Sequence, residues 1–166
     1  MPRTYEPIAT ATVASTGGTV TFSSIPNTYT DLVIVSSALR GVTGSGGDSI
    51  RAQFNSDTGS NYSRTGLYGN GTSALSFRQS SQTELGVGSA GDYSGTPWSP
   101  SIASIMNYSN TTTFKTVIMR GNEPTGIAGA QVALWRSTAA ISSIYLFCTN
   151  GFYVGSTFTL YGIKAA

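Results

Sequence analysis

Short runs of β-branched and aromatic residues recur along the whole chain, separated by clusters of Gly, Asn, Ser and Pro. Successive side chains of a strand point to opposite faces, so a strand with one buried face alternates apolar and polar residues. Thr157-Phe158-Thr159-Leu160-Tyr161-Gly162-Ile163 reads this way, with Phe158, Leu160 and Gly162 sharing the core face. Thr19-Val20-Thr21-Phe22 repeats the alternation. Leu32-Val33-Ile34-Val35 and Ile144-Tyr145-Leu146-Phe147 are apolar on both faces, which predicts a sheet centre or a surface met by a partner subunit.

The same reading along the chain predicts strands at 8–14, 19–24, 31–39, 49–55, 62–68, 74–79, 83–87, 102–108, 114–120, 130–136, 141–147 and 157–163. Turn chemistry separates them. Asp57-Thr58-Gly59 reads as a hairpin connection, Asn70-Gly71 as a two-residue turn, and Ile25-Pro26-Asn27 as a strand end. The Gly-rich stretch from Gly41 to Asp48 predicts the most flexible loop. Gly88 to Pro100, with Pro97-Trp98-Ser99-Pro100, predicts a long irregular loop suited to an outside contact. Many short strands at regular spacing define an all-β antiparallel β-sandwich or barrel, and 166 residues without an evident linker fit one domain, 1–166.

Composition narrows the function. Only 10% of residues are charged, against about 25% in an ordinary domain. The surface is therefore polar through hydroxyls and amides, and surface helices are disfavoured. Nine Lys and Arg against seven Asp and Glu give a net charge of +2, scattered singly, so no basic stripe for nucleic acid is visible. No run is apolar and long enough to predict a membrane-crossing helix, and no secretory leader is read at the N-terminus. Cys148, the single cysteine, lies in an apolar run and reads as a small buried hydrophobe.

The chain contains no histidine, which removes the commonest general base and the partner in Ser-His and Cys-His nucleophilic arrangements. Glu6, Asp31, Asp48, Asp57, Glu84, Asp92 and Glu123 sit singly near predicted turns, with no paired-carboxylate pattern. Gly44-Ser45-Gly46-Gly47-Asp48 lacks the Lys-Ser/Thr ending and the following helix of a phosphate loop. The expectation is a protein that binds and assembles, with no catalytic residue, no cofactor and no metal.

Several segments carry a resemblance. They are Tyr5-Glu6-Pro7-Ile8-Ala9-Thr10, the run from Val20 to Pro26 leading into Tyr29-Thr30-Asp31-Leu32, Phe54 to Ser63, Met106 to Lys115, Leu134-Trp135-Arg136-Ser137, and Ser156 to Ile163. Together they resemble small virion proteins and terminal domains of tailed bacteriophages, including cyanophages, of the capsid-decoration or tail-fibre-like kind. The resemblance implies a jelly-roll-like sandwich built into a virion assembled in the host cytoplasm, with no catalytic residues to carry over.

Two functional classes follow. In the first, a homotrimer binds the major capsid protein or other virion proteins on the outer shell and stabilises it as a decoration, or cement, protein. The candidate contacts are an extended N-terminal arm at 1–7, with Pro2, Arg3, Tyr5 and Pro7, and Trp98 in its proline-flanked loop. In the second, a tail-fibre or receptor-binding module stacks a host-surface glycan on Tyr62, Tyr68, Tyr93, Trp98 and Tyr108. A fibre normally places a shaft ahead of its tip, whereas strands here begin within the first ten residues, which favours decoration.

Overall fold

The computed structural model describes residues 4–42, 48–92, 97–124 and 126–164. Its strands are β1 (Tyr5–Thr12), β2 (Val20–Phe22), β3 (Asp31–Ala38), β4 (Asp48–Phe54), β5 (Tyr62–Gly69) and β6 (Ala74–Gln82). They continue with β7 (Leu85–Ala90), β8 (Ser99–Met106), β9 (Lys115–Glu123), β10 (Ile127–Trp135), β11 (Ile144–Phe147) and β12 (Thr157–Ile163). Each predicted strand has its counterpart among these, with shifts at the ends. Two antiparallel sheets face each other, an eight-stranded one in the order β1-β12-β3-β8-β9-β10-β5-β6 and a four-stranded one in the order β2-β11-β4-β7.

That order is a jelly roll with additions. β1-β12-β3-β8 opposite β2-β11-β4-β7 makes the eight-stranded double sheet of a jelly roll, the chain passing from one sheet to the other between successive strands. The pairs β5–β6 and β9–β10 are antiparallel hairpins inserted into this path, and both extend the larger sheet. One sheet is thus twice as wide as the other.

The inner faces form one core. Leu32 and Ile34 of β3, Ala103 and Ile105 of β8, Val117 of β9, and Phe158 and Leu160 of β12 meet Phe22, Ala52, Phe54, Ile144 and Leu146 from the smaller sheet. Each buried large side chain stabilises the fold by about 1.5–3 kcal/mol before chain entropy is set against it. Gly162 shares the core face with Phe158 and Leu160, as its alternation predicts. Its missing side chain leaves room for the Tyr29 ring, whose hydroxyl donates to Glu6.

An aromatic trio ties the inserted strands to the smaller sheet. Trp135 stacks on its cross-strand neighbour Tyr62 (6.3 Å between centroids, 14° between planes) and meets Phe54 edge-on at 5.5 Å. Below it the Asp57 carboxylate accepts hydrogen bonds from the Trp135 indole N–H (2.7 Å), the Asn61 amide (2.9 Å) and the Gly59 backbone N–H (2.9 Å). Burial pushes the Asp57 carboxyl up, but these three donors outweigh it and hold the group below its ordinary value.

Three expectations are corrected. Asp57-Thr58-Gly59 does not close a hairpin, because β4 and β5 lie in different sheets and this loop crosses between them. The irregular stretch predicted from Gly88 is shorter: Gly88, Ser89 and Ala90 end β7, and β8 begins at Ser99. Gly88 reads as a strand breaker, but its bare Cα is needed where Ile50 and Ser101 press against β7. Tyr5 to Pro7 are no free arm either. They pair with Ile163, Gly162 and Tyr161, and Pro7 is tolerated because β1 is an edge strand with an irregular register just after it.

Candidate functional site

Two rows of side chains cross the outer face of the larger sheet, fixed by strand register. Tyr161, Val33, Ser104, Ile118 and Val132 form one row, and Thr159, Val35, Ile102, Arg120, Ala130 and Leu67 the next. Strand alternation turns these residues away from the core, and no layer covers them. Leu67 is 66% exposed, Val132 52%, Ile118 46% and Val35 42%. Tyr5 continues the surface at the β1 edge, 57% exposed and edge-on to Tyr161 at 6.4 Å.

Scattered exposed apolar residues need no explanation, but a contiguous apolar patch usually marks a binding surface. Within it lies a depression of about 370 Å³, lined among others by Val33, Ile102, Met106 and Ile118. Asp31 and Arg120 also line it, so the surface offers one anion and one cation. The Asp31 carboxylate already accepts the Asn107 backbone N–H at 2.7 Å, which fixes its position.

The sequence-predicted site residues scatter. Pro2, Arg3 and Tyr93 lie outside the described residues. Tyr62 and Tyr108 are fully buried, so neither can present a ring face to a sugar. Tyr62 donates to the Asp57 carbonyl at 3.0 Å, and Tyr108 donates to the Pro26 carbonyl. Burial pushes the Tyr62 hydroxyl up to about 12 and raises that of Tyr108 as well. Tyr68 is half-buried beside Phe77 of β6. Trp98 is 40% exposed and lies over the turn at Gly155, where a side chain would touch its ring. The glycan platform read from the sequence is therefore not assembled: its described members occupy separate places. Tyr5 and Pro7 do share the outer face through their pairing with β12.

Polar residues in the segments that carry the resemblance close corners of the fold. Asn110 Oδ1 accepts the backbone N–H groups of Thr112 and Thr113, folding the β8–β9 loop over Lys115. Lys115 is fully buried, and its ammonium donates to the carbonyls of Asn110 (2.6 Å), Thr113 (2.8 Å) and Thr138 (3.2 Å). Burial lowers its pKa. An internal cation here joins two loops, a role that reading Lys as a surface residue misses. Asp92 is also buried, paired with Arg40 at 3.0 Å, and Glu123 is buried at the end of β9. These two acids depart from the expected surface roles. Cys148 is buried as expected, its thiol pushed up to about 12 by burial. Among the described residues, no three His, Cys, Asp or Glu side chains come together to hold a metal ion.

No family model, curated protein or solved structure matches the chain. The class defined by fold and surface is an inserted jelly roll with one uncovered apolar sheet face.

Proposed function

We propose that this chain is a non-enzymatic structural protein of a phage particle, a capsid decoration protein that assembles as a homotrimer and braces the outer shell. The observation that carries the assembly half is the outer face of the larger sheet, where Val35, Ile118, Val132 and Leu67 stay exposed. The proposed occupant of that face is a second copy of the chain. Asp31 and Arg120 flank the same depression, so copies meeting there can pair anion with cation reciprocally while the valines and isoleucines exclude water. A threefold arrangement turns the face of each copy toward its two neighbours. The virion setting rests on the resemblance. Trp98 over the Gly155 turn, with Pro2 and Arg3, supplies the contact to the major capsid protein, and Tyr5 and Pro7 sit at the β1 edge of the assembly face.

Decoration needs little chemistry. Many copies that each bury a modest interface restrain a shell together, and every 1.4 kcal/mol gained per site multiplies its binding constant about tenfold. Native mass spectrometry of the purified protein tests the assembly, with Ile118→Asp as the disrupting variant. The expected result is a trimer that the variant converts to monomer without changing its denaturation midpoint. Quantifying the protein in purified particles tests the setting, with an expected stoichiometry comparable to that of the capsid protein. A monomer both free and in particles, or a location confined to the tail, overturns this reading.

A further inference from the structure

The smaller sheet stops at β7, while the larger sheet runs on through β10, β5 and β6. The inserted strands therefore leave part of their inner face uncovered beyond β7. The gap is a cleft of about 380 Å³, within the size range of small-molecule sites. Its floor follows from register. Gln131, Gly66 and Phe77 are cross-strand partners, and Gly66 without a side chain lets the Phe77 ring lie down across β5. Tyr68 stands beside Phe77, 6.3 Å between centroids, and the Arg64 guanidinium lies 5.6 Å from the Phe77 ring centre. Ser89 of β7, Asp48 of β4 and Glu123 of β9 line the remaining wall.

We infer that this cleft binds a neutral saccharide unit, with Phe77 and Tyr68 as its stacking wall and Glu123 and Gln131 as its hydroxyl-recognising groups. The choice of ligand class follows from the lining. Two aromatic rings suit the C–H face of a pyranose, while a carboxylate and an amide can bond hydroxyls that both donate and accept. An anionic ligand would meet Asp48 and Glu123 with no Lys or Arg in the lining. An acyl chain would strand the buried Gln131 and Glu123 against hydrocarbon. A cation is disfavoured because Asp48 is already answered by Arg51 at 2.9 Å and by the Thr149 backbone N–H at 2.6 Å. The inference is independent of the assembly surface, which lies on the opposite face of the same sheet, and it places only Tyr68 of the sequence-predicted aromatics at a sugar.

Saturation-transfer NMR on the full chain tests it, using the methyl glycosides of glucose, galactose, mannose and N-acetylglucosamine, with N-acetylneuraminic acid and glucosamine as charged comparators. At least one neutral glycoside is expected to bind saturably. Phe77→Leu and Glu123→Gln are each expected to weaken that binding at least tenfold, while Ile118→Asp leaves it unchanged. Thermal unfolding shows whether the cleft variants fold, and Tyr68→Ser on the same wall replaces Phe77→Leu if that variant does not. No neutral glycoside bound at about 10 mM, well above the millimolar range that marks weak association, overturns the inference. So does binding that a folded cleft variant leaves intact, or binding of the charged sugars alone.

Discussion

The two faces of the eight-stranded sheet are built from the same kinds of residue and end in opposite environments. Leu32, Ile34, Ile105, Val117 and Leu160 point inward and are essentially inaccessible. Val35, Ile118, Val132 and Leu67, neighbours of those residues on the same strands, point outward and are about half exposed. The inner set is covered by the smaller sheet, and nothing in the chain covers the outer set. Residue type therefore does not decide burial here; the number of layers does. A sheet made apolar on both faces is suited to be the middle of a three-layer arrangement, and this chain supplies two layers.

The largest expected effect breaks the comparison at its two ends. Trp135→Ala removes the centre of the aromatic trio and leaves Asp57 without its indole donor, so a loss of about 3–5 kcal/mol is expected in urea unfolding. Val132→Thr, three residues away on the outer face, is expected to stay within about 0.5 kcal/mol when measured on the monomeric Ile118→Asp background. In the assembled protein the same Val132→Thr change is expected to raise the dissociation constant. Equal stability losses at both positions in the monomer would show that the outer face is already covered from within the chain.

Lys115 sharpens the contrast, because it is a charged residue in the layer where apolar residues belong. Lys115→Met keeps the length and the burial of the stem but leaves the Asn110, Thr113 and Thr138 carbonyls without their shared donor. A loss of about 1–3 kcal/mol is expected, visible as a lowered urea midpoint with an unchanged slope. Hydrogen exchange is expected to rise first at the Thr112 and Thr113 amides, which Asn110 caps.

How far the sequence led depends on how local each feature is. Alternation and turn residues act over a few positions, so the span of β12 is legible residue by residue, and the two-faced runs at Leu32 and Ile144 mark the sheet interiors they occupy. The jelly-roll path follows from resemblance more than from pattern. Asp57-Thr58-Gly59 carries real turn chemistry, but a turn does not announce which sheet the next strand joins. Tyr62 and Tyr108 look like sugar platforms in sequence because an aromatic ring with a polar tip serves equally well in a core whose tips find carbonyls. The cleft beside Phe77 was not legible at all, since it arises from the unequal widths of two sheets.

The smallest expected effect concerns Asp57, which links the inner layer to solvent pH. Hydrogen bonds from Trp135, Asn61 and Gly59 hold its carboxyl below the ordinary value in the folded chain, whereas the unfolded chain has it near about 3.9. As pH falls, the unfolded state takes up the proton first, so the stabilisation is full above roughly pH 4–5 and is lost as pH drops through the folded value. Asp57→Asn keeps an oxygen acceptor for the indole and removes the titration. Wild type is therefore expected to be the more stable of the two at pH 7, and the difference in urea midpoint is expected to shrink between about pH 5 and pH 2. Because the other carboxylates titrate alike in both proteins, the difference isolates Asp57. A gap that stays constant with pH would mean that Asp57 holds the corner by shape alone, without help from its charge.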